Sequence, residues 1–143
     1  MGHSFTSYKD KHIRSKDYKV ETWLFLIVRE ADKILEKEPW LKEARDHWND
    51  QATIAVNGCI DPDLDQYLTD DYKVKVFRSI CQRIYSNLLT YGEKIPKEYL
   101  NELHNLRPPF DIREDNDAEL YLRYGRALLA LIDGKQSEEC VSA

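Results

Sequence analysis

The chain has 143 residues and a formal charge of −5, with 42% apolar and 33% charged residues. This length is enough for one domain with its own core, and the composition is typical of a folded globular protein rather than a disordered one. The acidic balance argues against a nucleic-acid backbone as the main partner.

The cysteines and the N-terminal residues bear on whether the protein is cytoplasmic or secreted. Cys59, Cys81 and Cys140 are odd in number and form no CxxC pair, which is typical of reduced thiols rather than of a disulfide framework. The first residues hold no apolar segment of the kind that a secretory signal requires. The apolar run WLFLIV at residues 23–28 is far shorter than the roughly 18 residues of a membrane span. We therefore expect a cytoplasmic protein with no membrane association.

The first half of the chain predicts two helices after an irregular start. Residues 1–16 are polar and basic and are predicted to form an irregular N-terminal arm. Asp17 can cap a first helix, in which apolar residues recur at intervals of three and four. Pro39 suits the first turn of a second helix, which Asn57 and Gly58 are expected to end.

The second half predicts three further helices. Thr69 followed by Asp70 and Asp71 indicates a helix start, because carboxylates are favoured at the positive end of the helix dipole. Pro96 begins a shorter helix. A last helix contains the apolar run ALLALI at residues 127–132 and ends at Gly134.

Together these elements predict an all-α fold, a compact bundle of four to five helices. We expect an irregular arm over residues 1–16, a single helical-bundle domain over 17–134 and a flexible tail over 135–143. The runs WLFLIV and ALLALI are apolar on every side, so each should be covered on every side. Either the two helices pack centrally within one chain, or a second copy or a partner covers a face formed by Phe25, Leu26, Leu122 and Leu129.

No catalytic, metal-binding or cofactor motif is predicted. Asp61, Asp63 and Asp65 resemble the start of a calcium loop, but Gln66 and Tyr72 occupy the positions where that loop needs glycine and glutamate. Glu43 and His47 lie four residues apart on one helical face. Such a pair is more typical of a solvated face than of a metal site.

The charges are unevenly distributed along the chain. Residues 46–72 contain no lysine or arginine and seven aspartates, whereas the first 19 residues carry a net charge of +3. The aspartates could act only as helix caps and solubilising groups, or they could form an acidic patch that meets a basic partner. The predicted partner-binding residues are Asp61, Asp63, Asp65, Tyr67, Asp70, Asp71 and Tyr72.

The sequence thus predicts a non-catalytic, protein-binding helical bundle. Its most specific form is a small cytosolic inhibitor of the immunity or antitoxin kind, which masks a basic protein. One alternative is a homodimer that binds a small ligand, and another is a metal enzyme whose carboxylates are dispersed along the sequence.

Overall fold

A computed structural model describes residues 2–55 and 57–135, which form six helices and two small antiparallel sheets of two strands each. In chain order the elements are β1 (His3–Tyr8), β2 (Lys11–Lys16), α1 (Asp17–Asp32), α2 (Leu41–Ile54), α3 (Leu64–Tyr67), α4 (Asp71–Leu89), β3 (Lys94–Ile95), α5 (Lys97–His104), β4 (Asn116–Asp117) and α6 (Ala118–Ile132). The all-α prediction is therefore wrong. The protein is a mixed α/β structure that is mainly helical.

The predicted irregular arm is a β-hairpin. Tyr8 pairs with Lys11, so the loop has two residues, and Lys9 and Asp10 both adopt positive φ angles of 46° and 69°. This combination is a tight hairpin turn whose twist matches the twist of the strands. The sequence carries no typical hairpin signal, because the turn contains no glycine and the inward face of the hairpin is mostly polar. The buried side chains of that face are Ser4, Thr6, Tyr8, Ile13 and Ser15.

Hydrogen bonds attach the hairpin to the helices. The Ser4 hydroxyl donates to Asp17 Oδ1 at 2.6 Å, and the hydroxyls of Thr6 and Tyr124 lie 2.8 Å apart. Asp17 was expected to cap α1, but Lys16 occupies the N-cap position and makes no side-chain cap bond. The Asp17 carboxylate is buried and binds the hairpin instead.

The helices enclose one apolar core, to which the hairpin contributes Tyr8 and Ile13. The run at residues 23–28 is buried except for Phe25, which is partly buried. The Trp23 indole N–H donates to the carbonyl oxygen of Tyr121 at 2.9 Å, so α1 and α6 are in direct contact. A Cβ added at Gly125 would overlap the Trp23 ring, and the absence of a side chain there permits this close approach.

Several predicted helix boundaries are confirmed. Asp70 is the N-cap of α4, and its side chain accepts a hydrogen bond from the Lys73 backbone N–H. Gly134, the predicted end of the last helix, follows α6 with a φ angle of 77°, which glycine tolerates best. Gly92 adopts a similar φ of 76° after α4. In contrast, α2 ends at Ile54, before the predicted stop at Gly58.

Two further predictions concern a membrane span and the division of the chain into arm, bundle and tail. None of the helices in the described ranges has both the length and the apolar character needed to span a bilayer. The division into arm, bundle and tail stays a prediction. The predicted tail begins at Lys135, and its residues 136–143 lie outside the described residues.

Candidate functional site

The acidic segment, residues 61–65, follows α2 in the chain and is held against that helix by three hydrogen bonds. The His47 ring Nε2–H and the Trp48 indole N–H donate to the carbonyl oxygens of Asp61 and Pro62, each at 2.8 Å. Gln51 Oε1 accepts the Asp61 backbone N–H, also at 2.8 Å. Because these partners lie within one turn or so of a regular helix, the position of the segment is fixed by the helix.

Tyr67, the last residue of α3, packs against α2. Its ring packs on the rings of His47 and Trp48, at centroid distances of 5.6 and 6.1 Å. Partial burial raises the pKa of the Tyr67 phenol, and the nearby negative charges of Glu43 and Asp63 raise that pKa further. Carboxylates from α2 and from the acidic segment therefore flank one aromatic side chain.

We use the term acidic surface for Glu43, His47, Asp50, Asp61, Asp63 and Tyr67. Asp50 belongs to it because it lies one helical turn after His47 on α2. Within residues 2–55 and 57–135, no ion pair involves any of its four carboxylates. Asp46, by contrast, is paired with Lys42 and Arg45.

Some predicted site residues also have structural roles. Asp61 Oδ1 accepts the Asp63 N–H at 2.9 Å, and Asp65 Oδ1 accepts the Lys9 N–H of the hairpin turn at 3.0 Å. Asp70 caps α4. The carboxylates of Asp63 and Asp71 accept no hydrogen bond from any described residue, so their charges remain available to solvent or to a partner.

Tyr72 makes its contacts away from Tyr67. Its hydroxyl donates to Glu38 in the connection between α1 and α2, and this bond raises the pKa of the Tyr72 phenol. Glu38 also accepts the Trp40 indole N–H at 2.9 Å. The seven predicted residues thus lie in three places: Asp61, Asp63 and Tyr67 over α2, Asp65 at the hairpin turn, and Asp70, Asp71 and Tyr72 at the start of α4.

The four residues of the predicted oligomer face lie in or beside the core of the single chain. Leu26 and Leu122 are each 7% exposed, whereas Phe25 and Leu129 are partly buried and pack against the core. Phe25 makes an edge-on contact with the His104 ring of α5, at a centroid distance of 5.0 Å. A second copy covering this face stays a prediction.

Glu43, His47 and Asp50 are not among the partner-binding residues that the sequence predicts. The available signal was their spacing of three and four, which places them on one face of α2. What the sequence could not show is that Asp61 returns to this face. The two acidic stretches become neighbours only through the hydrogen bonds of His47, Trp48 and Gln51.

In the described part of the chain, no group of three or more histidine, cysteine, aspartate or glutamate side chains is arranged to hold a metal ion. Cys59 is exposed and Cys81 is buried, and both are free thiols. Cys81 lies in the core, and its burial raises the pKa of the thiol.

Comparisons of this chain with protein families, with curated proteins and with solved structures give no match.

Proposed function

We propose that this protein binds another protein and that its acidic surface receives a basic patch of that partner. The most specific form of the proposal is a small inhibitor of the immunity or antitoxin kind, which covers a basic protein and blocks its action. The observation that carries the proposal is that Glu43 and Asp63, the carboxylates beside Tyr67, form no ion pair with any described residue.

The charge of the acidic surface supports a role in association. Glu43, Asp50 and Asp63 form no ion pair with a cation among the described residues. Such a cluster attracts a positively charged protein over a distance of about one Debye length, near 8 Å at physiological salt. Complementary potentials increase the association rate and discourage wrongly charged partners.

The rigidity of the acidic surface supports a role in affinity. A surface already held in its binding geometry loses less conformational entropy when a partner binds. Here Trp48 is 0% exposed and anchors the Pro62 carbonyl from the core side. Tyr67 offers aromatic area and a hydroxyl within the acidic surface, which is the kind of residue enriched at interfaces.

Two triple variants test the proposal. The first, Glu43→Gln/Asp50→Asn/Asp63→Asn, removes three charges from the acidic surface, and asparagine suits the positive φ of 52° at position 63. The control, Glu36→Gln/Glu98→Gln/Glu114→Gln, removes three exposed carboxylates elsewhere that are also unpaired among the described residues. Both variants have the same net charge.

Immobilised wild-type protein, the surface variant and the control are incubated with extract of the native host, and the retained proteins are identified. We expect a protein of basic pI on the wild type and the control that is depleted on the surface variant. With that protein purified, the surface variant should associate about tenfold more slowly at low salt and show a weaker salt dependence. Equal retention by both variants, or equal association rates, would refute the role of this surface.

A further inference from the structure

A groove separates α1 from α4 on a side of the molecule formed by other residues than the acidic surface. Its larger cavity has a volume of about 490 Å³ and lies between α1, the end of α4 and α5. Its lining combines the largely buried Leu26, Ile84 and Leu88 with the rings of Tyr91 and Tyr99, whose centroids are 5.3 Å apart. Polar side chains, among them Arg29 and Thr90, complete it. This volume is within the range of about 300–1,000 Å³ that small-molecule sites occupy.

A shallower cavity of about 470 Å³ adjoins the first one and shares Glu30, Lys33 and Asn87 with it. This second cavity is polar. Arg83 and Lys33 line it, together with the hydroxyls of Ser79 and Ser86. Cationic and neutral hydrogen-bond donors in this combination are the groups that bind a carboxylate or a phosphate.

The described residues that line the groove include more cations than carboxylates, with Arg29, Lys33 and Arg83 against Glu30. Glu30 is the acidic residue common to the two cavities, and its side chain is only 8% exposed and is paired with Lys33 at 2.5 Å. The Lys33 side chain, in contrast, is 64% exposed. Arg83 is exposed and makes no ion pair with any described residue. Lys33 and Glu30 offset each other's charge, and Arg29 is paired with Glu102. Among the described residues that line the groove, Arg83 is therefore the cation that an incoming anion meets without a carboxylate partner.

We propose that this groove binds a small amphipathic acid, with the apolar body between Leu26, Leu88 and Tyr99 and the acidic head beside Arg83 and Lys33. Two cavities of different character that share a wall match a ligand with two different ends. This site is independent of the acidic surface, because it uses neither those residues nor α2.

Three probes with the same octyl chain test the chemistry of the ligand. Octyl phosphate and nonanoate carry an acidic head of two kinds, and octyl glucoside carries a neutral one, all below their micelle concentrations. Each is titrated against the intact chain while backbone amide chemical shifts are followed. We expect both acids to shift amides of α1 and α4 around Lys33 and Arg83, and to bind at least tenfold more tightly than octyl glucoside. The tighter of the two acids identifies the head group.

Three single variants test the location. Arg83→Gln should weaken octyl phosphate binding about tenfold, the effect of losing one charge-assisted hydrogen bond, and leave octyl glucoside unchanged. Lys75→Gln removes an exposed cation of the same helix outside the groove and should change neither. Asn87→Trp places a large ring at the wall shared by the two cavities and should abolish binding of every probe.

The proposal is overturned if no acid shifts the amides of α1 and α4, or if octyl glucoside binds as tightly as the acids. It is also overturned if Arg83→Gln and Lys75→Gln weaken octyl phosphate equally, since the attraction would then come from net charge alone. The amide spectra of the variants show directly whether each one retains the fold.

Discussion

The hydroxyl of Ser4 on the N-terminal hairpin donates a 2.6 Å hydrogen bond to Oδ1 of Asp17 at the start of α1, and both side chains are buried. The same Ser4 oxygen accepts the Ile60 backbone N–H at 3.0 Å, and Asp17 Oδ2 accepts the Gly58 N–H at 2.8 Å. Two side chains thus join the hairpin, the first helix and the segment that leads to the acidic surface.

The first prediction is that Ser4→Ala destabilises the protein by about 2–3 kcal/mol. The substitution leaves the buried Asp17 carboxylate with one donor fewer and the Ile60 N–H without its acceptor, and each unsatisfied buried group costs about 1–3 kcal/mol. Urea unfolding measures the change. Ser7→Ala, at an exposed position of the same strand, is the control and should stay within about 0.5 kcal/mol of the wild type. Equal stabilities for the two variants would contradict the role of Ser4.

The second prediction concerns the contact between Gly125 and Trp23. Alanine is favoured over glycine in a helix interior by about 1 kcal/mol, so Gly125→Ala would stabilise an unconstrained helix. Here the added Cβ would overlap the fully buried Trp23 ring, and overpacking of this kind costs about 1–3 kcal/mol. We expect overpacking to prevail and the free energy of unfolding to fall.

A double-mutant cycle separates these two effects. Trp23→Phe removes the ring atoms that the new Cβ would meet, so Gly125→Ala should cost less in the Trp23→Phe background than in the wild type. An identical cost in both backgrounds would show that the destabilisation does not come from this contact.

The third prediction concerns His104 and pH. The Thr22 hydroxyl donates to the Tyr18 carbonyl oxygen at 2.7 Å, so the His104 Nε2–H must be the donor in its own 2.7 Å bond to Thr22 Oγ1. Burial lowers the pKa of His104 from 6.5 to about 4. The histidine is therefore neutral in the folded protein.

Because the folded pKa of His104 is lower than the unfolded one, the unfolded chain binds the extra proton between pH 6.5 and 4. The free energy of unfolding is therefore highest above pH 6.5, as far as His104 is concerned, and it decreases as the pH falls through this window. We expect the loss to be about 1–3 kcal/mol. Urea unfolding across the window should show a shallower pH dependence for His104→Gln, which keeps a donor but does not titrate. Parallel profiles would contradict the assignment.

Much of the helical part of the fold follows from local sequence. The spacing of apolar residues around Trp23 predicts α1, and Asp70 predicts the start of α4, because helix periodicity and N-capping act over a few neighbouring residues. The burial of the apolar run at residues 23–28 also follows from local sequence, because exposing so much apolar area to water is unfavourable. None of these features requires knowledge of a distant residue.

The hairpin, the acidic surface and the groove could not be predicted in this way. Ser4 and Thr6 face inward because their hydroxyls form hydrogen bonds with Asp17 and Tyr124. The polar groups of this inward face therefore gain hydrogen-bond partners only in the folded chain. Asp61 joins Glu43 because α2 side chains bind its backbone. Sequence by itself determined the presence of the five longer helices, though not α3 or the end of α2, and the burial of the apolar runs, since these depend on local periodicity and apolar area. Tertiary structure alone decided which charged and polar groups meet, because hydrogen bonds between distant residues have no local signature.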